Sequence, residues 1–327
     1  MATLAIHLPR ILQVHRALSP RAKLLFGVFS FVLPILVWCT VSYMPFVWHP
    51  QVLISNPGDV SYFKRGMRVN RDVFEAESET VRKAGKALPE GEPANPIYLP
   101  APDQVVKAFY TSFTTPPESR DGAWLHQSLW HSIQVIFWGY VISSVIGVPL
   151  GVLCGTYSAI SRSSEPFIEF FRYLPAPAFG ALAVAILGIY DGPKIAIIVI
   201  GTFYQQVLII ANTTRKLDVA LVEAAQTLGT KNSQLLYRVV IPGILPDLYR
   251  DQRILLGWAW TYLIVAELIG TTSGITWFIT QQARYQHFAN MYAAITMIGI
   301  IGLGTDMVLA LIGRRIFPWD RSLQKTE

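Results

Sequence analysis

The sequence has few charged residues and very few cysteines. Asp, Glu, Lys and Arg make up only 15% of its 327 residues, which argues against a soluble two-domain protein. The two cysteines, Cys39 and Cys154, both lie in apolar segments, so no disulfide framework is expected. The net charge is +6, but no basic stripe follows a soluble face, which argues against nucleic-acid binding.

Motifs of nucleotide-binding and catalytic sites are also missing. The chain contains no G-x-x-x-x-G-K-[ST] loop, so it is not expected to cradle ATP phosphates in that way. It has no H-E-x-x-H motif, no cysteine pair and no Ser/His/Asp constellation. We therefore expect that the chain is not an enzyme and that it holds neither a metal ion nor a cofactor.

Apolar sequence is what the chain has in abundance. Apolar residues make up 52% of it and the mean hydropathy is +0.38, values typical of a protein that crosses a membrane several times. About 20 consecutive apolar residues suffice for one helical span. Six spans are predicted on this basis, at residues 24–44, 129–155, 166–189, 194–211, 254–270 and 291–313.

The segments outside the spans set the predicted organisation of the chain. The N-terminal tail, residues 1–23, is basic and precedes an apolar run that we interpret as an uncleaved span rather than a signal peptide. Residues 45–127 are rich in Pro, Gly and charge, and are either a solvated linker or an extracytoplasmic cap. Residues 128–313 form a core of five helices, and residues 314–327 form the C-terminal tail.

Basic residues predict the orientation in the membrane. Six spans place both termini on one side. The tails, the loop with Arg162 and the polar stretch 217–247 hold most of the Lys and Arg of the short segments. The opposite short loops hold only Lys194 and Arg284. Because basic residues stay on the cytoplasmic side, both termini and the polar stretch are predicted to be cytoplasmic, and the insertion 45–127 periplasmic.

The stretch 217–247 lies between strongly apolar segments and is itself too polar to cross a bilayer. Asp218 can cap a helix whose apolar residues follow at helical spacing, and Gly229 supplies a left-handed stop. A second short helix can start at Asn232 or the residue after it, and must end before Pro242. Such a helix-turn-helix at a membrane surface is suited to docking a soluble partner.

A fixed spacing runs through this stretch: Glu223, Ala224 and Ala225, three residues, Gly229, nine residues, Val239, one residue, and then Ile241 and Pro242. This spacing resembles the EAA loop of ABC importer permeases, which reads E-A-A, three residues, G, nine residues, I, one residue, L-P. Val239 and Ile241 are conservative departures from the motif. The alternative is an ordinary surface hairpin whose alanines serve helix propensity.

Other segments extend this resemblance over about residues 99–315. The L-P-A-P segment at 99–102 and the G-V-P-L-G run at 147–151 are similar to the same permeases. The run 260–270 resembles the fifth span of the nitrate, sulfonate and taurine branch of importers.

The resemblance implies an all-α membrane protein with the type I ABC importer permease fold: six transmembrane helices and a cytoplasmic coupling helix-turn-helix. In that family the hairpin sits in a groove of a cytoplasmic ATPase subunit, which binds ATP and Mg²⁺. A periplasmic solute-binding protein delivers the solute, and the permease is commonly a homodimer in the bacterial inner membrane.

The transported solute is open at this point. The resemblance implies a small anion such as nitrate, bicarbonate, taurine or another sulfonate. The acid Glu267 gives no support for an anion and leaves a small nitrogenous or cationic solute open. From another class, an ion-gradient secondary transporter would show inverted repeats or broken helices at the midplane, and no internal repeat is found. A membrane enzyme is disfavoured because no catalytic constellation occurs.

Polar residues within the predicted spans are candidates for a translocation path, since ionisable groups there normally face protein or water. The candidates are Glu267, Arg172, Tyr204, Gln205 and Gln206. As alternatives, Glu267 is a structural acid paired with an Arg or a backbone donor, the glutamines bond between helices, and Arg172 makes an ion pair.

Small residues predict close helix packing. Gly147, Gly151 and Gly155 fall four residues apart on one face of the second span, where they let helix backbones approach. Asp306 in the sixth span is expected to make a packing or gating contact.

Overall fold

The computed structural model describes residues 19–44, 47–117, 124–269 and 273–320, so most of the two predicted tails lies outside the described residues. The chain divides into two compact units, Met1–Lys107 and Ala108–Glu327, which are taken in turn.

The first unit begins with helix α1 (Pro20–Tyr43), at the position of the first predicted span. The Ser19 side chain caps it by accepting a hydrogen bond from the Ala22 N–H at 3.3 Å. Pro20 occupies the first turn, where its missing N–H is not needed. Most of its apolar side chains are exposed, as lipid contact requires, and its length suffices for one span.

The rest of the first unit contains a small antiparallel sheet and one helix. Strands β1 (Gln51–Asn56), β2 (Arg68–Asn70) and β3 (Glu90–Ala94) lie in the order β2–β1–β3, and helix α2 (Arg71–Lys83) follows β2 directly. Across the sheet, Val52 lies opposite Val69 on β2 and opposite Pro93 on β3.

This sheet has a hydrophobic core of its own. Side chains alternate along a strand, and Val52 and Ile54 of β1 are both buried. The core cluster is formed by Ile54, Val60, Phe63, Val69 and Val81, with Phe74 packed against it. The described part of the insertion is therefore a folded segment and not a solvated linker; its side of the membrane stays a prediction.

Helices dominate the second unit. Helix α3 (Pro102–Thr114) crosses the division between the units. The helices that follow are α4 (Leu125–Thr156), α5 (Ser158–Arg172), α6 (Gly180–Leu187), α7 (Asp191–Arg215), α8 (Val219–Thr227), α9 (Asn232–Leu235), α10 (Ile241–Leu268), α11 (Ile275–Arg284) and α12 (Phe288–Ile316).

Helices α4 and α7 pack closely along the predicted glycine stripe. A Cβ atom at Gly147 would lie 3.0 Å from Gln206 Oε1, and one at Gly151 would lie 2.8 Å from Ile210 Cβ. At Gly155 the same atom would collide with Thr214. The missing side chains let the two backbones approach, as small residues do in membrane helices. Around this pair the main core is built from α4, α7, α10 and α11, and includes Ile197, Leu263 and Ile275.

The predicted third span, 166–189, is not one straight helix. Helices α5 and α6 are joined by a 3₁₀ turn, Ala176–Phe179, and bend by 86°. Pro175 and Pro177 explain the break, because a proline donates no backbone hydrogen bond and disfavours the helical conformation in the residue before it. The pair forms a broken span or a re-entrant loop.

The number of spans depends on how two elements are counted. Among the described residues, four helices (α1, α4, α7 and α12) are long and apolar enough to cross a membrane, or five spans if the bent pair counts as one. The predicted fifth span, 254–270, falls in the second half of α10, whose first half carries charged side chains. Its last residue, Gly270, lies outside the described residues. Six spans therefore remain a prediction.

Candidate functional site

Helix α8 carries the Glu-Ala-Ala residues of the motif. Asp218 caps it, because its Oδ1 accepts a hydrogen bond from the Ala220 N–H at 2.9 Å. No residue of α8 is buried, and Glu223 and Ala224 are exposed while Ala225 is half-buried. The helix thus presents the motif residues on an accessible surface.

The turn after α8 depends on Gly229. Its φ angle is +79°, in the left-handed region that favours glycine. The Thr230 N–H donates to Ala225 O at 3.2 Å and the Gly229 N–H donates to Gln226 O at 2.9 Å. These two bonds form a Schellman motif that satisfies the last carbonyls of α8. The glycine of the motif therefore stops the first helix of the hairpin and sets the direction of the second.

The second helix of the hairpin continues into a membrane helix. α9 ends at Leu235, but a π turn (Leu236–Val240) joins it to α10 without a loop, so the helical chain does not end before Pro242 as the sequence predicts. Pro242 falls in the first turn of α10, where its missing donor is tolerated. Of the remaining motif residues, Val239 and Ile241 are half-buried.

One side of this hairpin is anchored and the other is free within the described chain. Leu236, Val240 and Ile244 are buried in a cluster with Val152 of α4 and Ile210 of α7. On the opposite side, apolar residues of α8 and its turn are exposed: Val219, Leu221 and Leu228, the last of them 87% exposed. An exposed apolar patch beside a charged residue is typical of a surface that binds another protein.

Gln206 belongs to a hydrogen-bonded network between three helices. Its Oε1 accepts from Ser143 Oγ at 2.6 Å, and its Nε2 donates to Ser144 Oγ at 2.8 Å and to Gln252 Oε1 at 3.1 Å. Tyr140 OH donates to Gln252 O at 2.7 Å. Gln206 is fully buried, and the network joins α4, α7 and α10. This agrees with the alternative in which the glutamine forms hydrogen bonds between helices.

The next three candidates for the translocation path, Gln205, Tyr204 and Arg172, have other contacts than those of the Gln206 network. Gln205 is half-buried on α7. The Tyr204 ring stacks on Phe171 of α5, with 5.6 Å between the ring centroids. Arg172 Nη2 lies 3.8 Å from Glu169 Oε1 on the same helix. A role of Arg172, Tyr204, Gln205 and Gln206 in a translocation path stays a prediction.

Glu267 is buried at the end of α10, 2% exposed, and bonds two other elements. Its Oε1 accepts a hydrogen bond from Ser132 Oγ of α4, and its Oε2 accepts from the Thr276 N–H of α11 at 2.8 Å. The backbone donor was one of the two partners expected for a structural acid. A role of Glu267 in a translocation path stays a prediction.

A second buried charge, Lys194, lies near these contacts of the Glu267 carboxylate. Its Nζ donates to Asp191 Oδ1 at 2.9 Å and to Ser273 Oγ at 3.0 Å, and lies 3.3 Å from His131 Nε2. Lys194 is 1% exposed and lies near the start of α7, so it is a buried charge and not the exposed loop charge that the sequence predicts. The sequence did hold a signal for the ion pair with Asp191, because Lys194 follows it by three residues at the start of an apolar helix.

No metal site emerges from the geometry: in the part of the chain that the structure describes, no three His, Cys, Asp or Glu side chains are grouped to hold an ion.

Comparisons with known proteins agree with these features. The family model for the binding-protein-dependent transport system inner membrane component matches residues 147–318. A probable ABC transporter permease protein of Brucella melitensis biotype 1 is 32% identical over 188 residues, covering 58% of this chain and 76% of the relative. The taurine transport system permease protein of Escherichia coli K12 is 29% identical over 230 residues, covering 70% and 83%.

A solved structure supports the same fold. The inward-facing MetNI methionine ABC transporter aligns with a TM-score of 0.53 at 21% identity, covering 63% of this chain and 99% of that chain. The match of the family model confirms the resemblance to ABC importer permeases, and an ion-gradient secondary transporter is set aside. The chain belongs to the family of binding-protein-dependent transport system inner membrane components, the multi-pass permease subunits of ABC importers.

Proposed function

We propose that the hairpin α8–α9 couples this permease to a cytoplasmic ATPase subunit. The observation that carries the proposal is the two-sided hairpin: Leu236, Val240 and Ile244 anchor its base, while Glu223 and Leu228 are exposed. An apolar patch with a central acid fits a groove that has apolar walls and a basic residue. The ATPase, and not this chain, binds ATP and Mg²⁺.

We also propose the arrangement around the subunit. Two copies of the permease form a homodimer, a periplasmic protein delivers the solute, and both termini face the cytoplasm. The family match to a binding-protein-dependent system supports the delivery step. The basic residues of the short cytoplasmic segments support the orientation.

The proposed solute is a small anion of the sulfonate or bicarbonate kind. Relatives named as taurine, aliphatic sulfonate and bicarbonate permeases support this class. The test is calorimetry on the binding protein encoded beside this chain, with taurine, a linear alkanesulfonate, bicarbonate and a small amine. Micromolar binding of an anion supports the proposal, whereas binding of the amine alone selects the nitrogenous or cationic solute instead.

Two substitutions test the coupling surface. Glu223→Lys places a positive charge against the proposed basic residue, and such a like-charge contact costs several kcal/mol at an interface. Gly229→Val forces a branched side chain into φ +79°, at a cost of about 1–2 kcal/mol, although nothing lies within 4 Å of the new Cβ. Both variants should insert in the membrane normally and lose ATPase in a pull-down.

Matched controls lie in the first unit. Glu79→Lys reverses an exposed acid on α2, and Gly66→Val imposes the same strain at φ +83°, also in open space. Both controls should keep the ATPase bound. Retention of ATPase by Glu223→Lys and Gly229→Val as well would remove the hairpin from the interface.

A further inference from the structure

Hydrogen bonds join Glu267 and Ser132 to the start of α11. Ser132 Oγ donates to Glu267 Oε1 and accepts from the Ile275 N–H at 2.8 Å. Glu267 Oε2 accepts from the Thr276 N–H at 2.8 Å. The first two N–H groups of α11, which no helical carbonyl can satisfy, are therefore taken up by side chains of α4 and α10.

Gly274 makes room for this contact. Its φ angle is +106°, and a Cβ atom placed there would collide with the Glu267 carboxylate. Only glycine both adopts this backbone conformation without strain and leaves the space free. The chain turns into α11 directly against the carboxylate.

A second contact holds the residue before this turn. Ser273 Oγ accepts a hydrogen bond from Lys194 Nζ at 3.0 Å, and it lies 3.2 Å from His131 Nε2. The ammonium group is itself held by Asp191 at 2.9 Å. The start of α11 is thus fixed by α7 on one side and by α4 and α10 on the other. We call Ser132, Lys194 and Glu267 the α11 clamp.

Helix α10 connects this clamp to the coupling hairpin. Its 28 residues run from the π turn at Val240 to Leu268, one residue beyond Glu267, which is about 40 Å of helix. No loop interrupts the path from α9 to the clamp. Helical backbone, with Pro246 inside α10, therefore links the hairpin to the clamp.

We propose that Glu267 is a positioning residue that transmits movement of the coupling hairpin to α11. The carboxylate makes α11 follow the end of α10, so that an ATP-driven movement at the hairpin moves α11 on the other side of the subunit. This inference rests on the proposed function, since the movement originates in the bound ATPase. This role differs from that of a residue lining the translocation path, because the carboxylate acts through α11 and contacts no solute.

The test uses the complete transporter with a reporter on α11. Arg284, the last residue of α11, is exposed, and Arg284→Cys in a Cys39→Ser, Cys154→Ala background accepts a maleimide. The labelling rate is measured with and without Mg-ATP. The rate should change with ATP in this background. Glu267→Gln should weaken the contact, because the amide has one acceptor oxygen for two donors. The ATP-dependent change in rate should then fall by about tenfold, which corresponds to the low end of the free energy of a hydrogen bond to a charged group.

Controls separate transmission from mere stability. Glu169→Gln neutralises an exposed acid of α5 and should leave the ATP-dependent change intact. Ser132→Ala removes a second member of the clamp and changes no charged residue, and it should reproduce the Glu267→Gln result even if the latter fails to assemble. The double variant should be no worse than either single variant, as for residues that act as one unit.

The outcomes are distinct. Loss of the ATPase from the parent transporter would contradict the proposed function. With the ATPase bound, either of two results overturns the transmission role. In the first, the labelling rate at Arg284→Cys does not respond to ATP although Glu267 and Ser132 are intact. In the second, the rate responds to ATP to the same extent in Glu267→Gln and Ser132→Ala.

Discussion

Glycine at three positions of α4 decides how closely α7 can approach. At Gly151 an added Cβ would lie 2.8 Å from Ile210 Cβ and 2.9 Å from Val207 O. The second neighbour is a backbone oxygen, which cannot move aside by a change of rotamer. In lipid, where apolar side chains gain little from association, such close backbone contact is a main source of helix affinity.

Gly151→Ala is expected to destabilise the permease by about 1–3 kcal/mol, the usual cost of overpacking a tight core. The effect should appear although alanine has the higher helix propensity, by about 1 kcal/mol. Thermal unfolding of the isolated permease in detergent measures it. Gly299→Ala on α12 is the matched control, because nothing lies within 4 Å of its new Cβ. An unfolding temperature for Gly151→Ala at or above that of the control would contradict the packing account.

Helix α10 shows how neighbouring helices accommodate polar residues. Arg253 forms a two-pronged pair with Asp306 of α12, with distances of 2.9–3.1 Å. Thr213 of α7 donates to Asp251 Oδ2, and Tyr140 of α4 bonds to Gln252. The polar first half of α10 is therefore paired on three sides. Asp306 makes a contact between helices, in line with the packing role expected for it.

Removing either partner of the Arg253–Asp306 pair should have unequal effects. The Arg253 side chain is 15% exposed, whereas that of Asp306 is 50% exposed. Asp306→Ala leaves a largely buried guanidinium unpaired and should cost about 2 kcal/mol or more. Arg253→Ala leaves a half-solvated carboxylate and should cost about 1 kcal/mol. Chemical denaturation in detergent gives both values, and the reverse order would contradict the assigned burial.

The whole chain combines a membrane permease with an additional folded segment. The family model covers residues 147–318, so the small sheet with α2 lies outside the matched region. Its exposed, charged α2 and its own core are features of a segment that folds in water. The permease family places the chain in the inner membrane as a multi-pass protein.

Reporter fusions test the predicted orientation. Green fluorescent protein joined after Glu327 or within residues 230–234 should fluoresce, because basic segments keep these sites in the cytoplasm. Alkaline phosphatase within residues 75–92 should be active, since that site is predicted to be periplasmic. An inactive phosphatase at the last site, together with fluorescence of a protein fused there, would overturn the six-span topology.

The candidate site was predictable where its chemistry is local in the sequence. The hairpin α8–α9 follows from a cap at Asp218, a left-handed glycine at Gly229 and the motif spacing around Glu223. Each depends on residues a few positions apart. A backbone donor was an expected partner of Glu267, but Ser132 was not predictable, because it is 135 positions away and meets Glu267 only when α4 and α10 pack. For Lys194, the bond to Asp191 three residues earlier is local, whereas the bond to Ser273, 79 positions later, forms only when α7 meets the start of α11.

The membrane spans likewise show some features that the local sequence predicts and others that depend on contacts between helices. Long apolar runs specify α1, α4, α7 and α12, because transfer from water to lipid depends on composition over one contiguous helix. Prolines at 175 and 177 carry a local signal for a break, but the 86° bend depends on how α5 and α6 pack against α7. The charged half of α10 is stable only because partners on other helices satisfy it. Composition therefore determines which segments enter the membrane, whereas contacts between distant helices determine which polar side chains become buried.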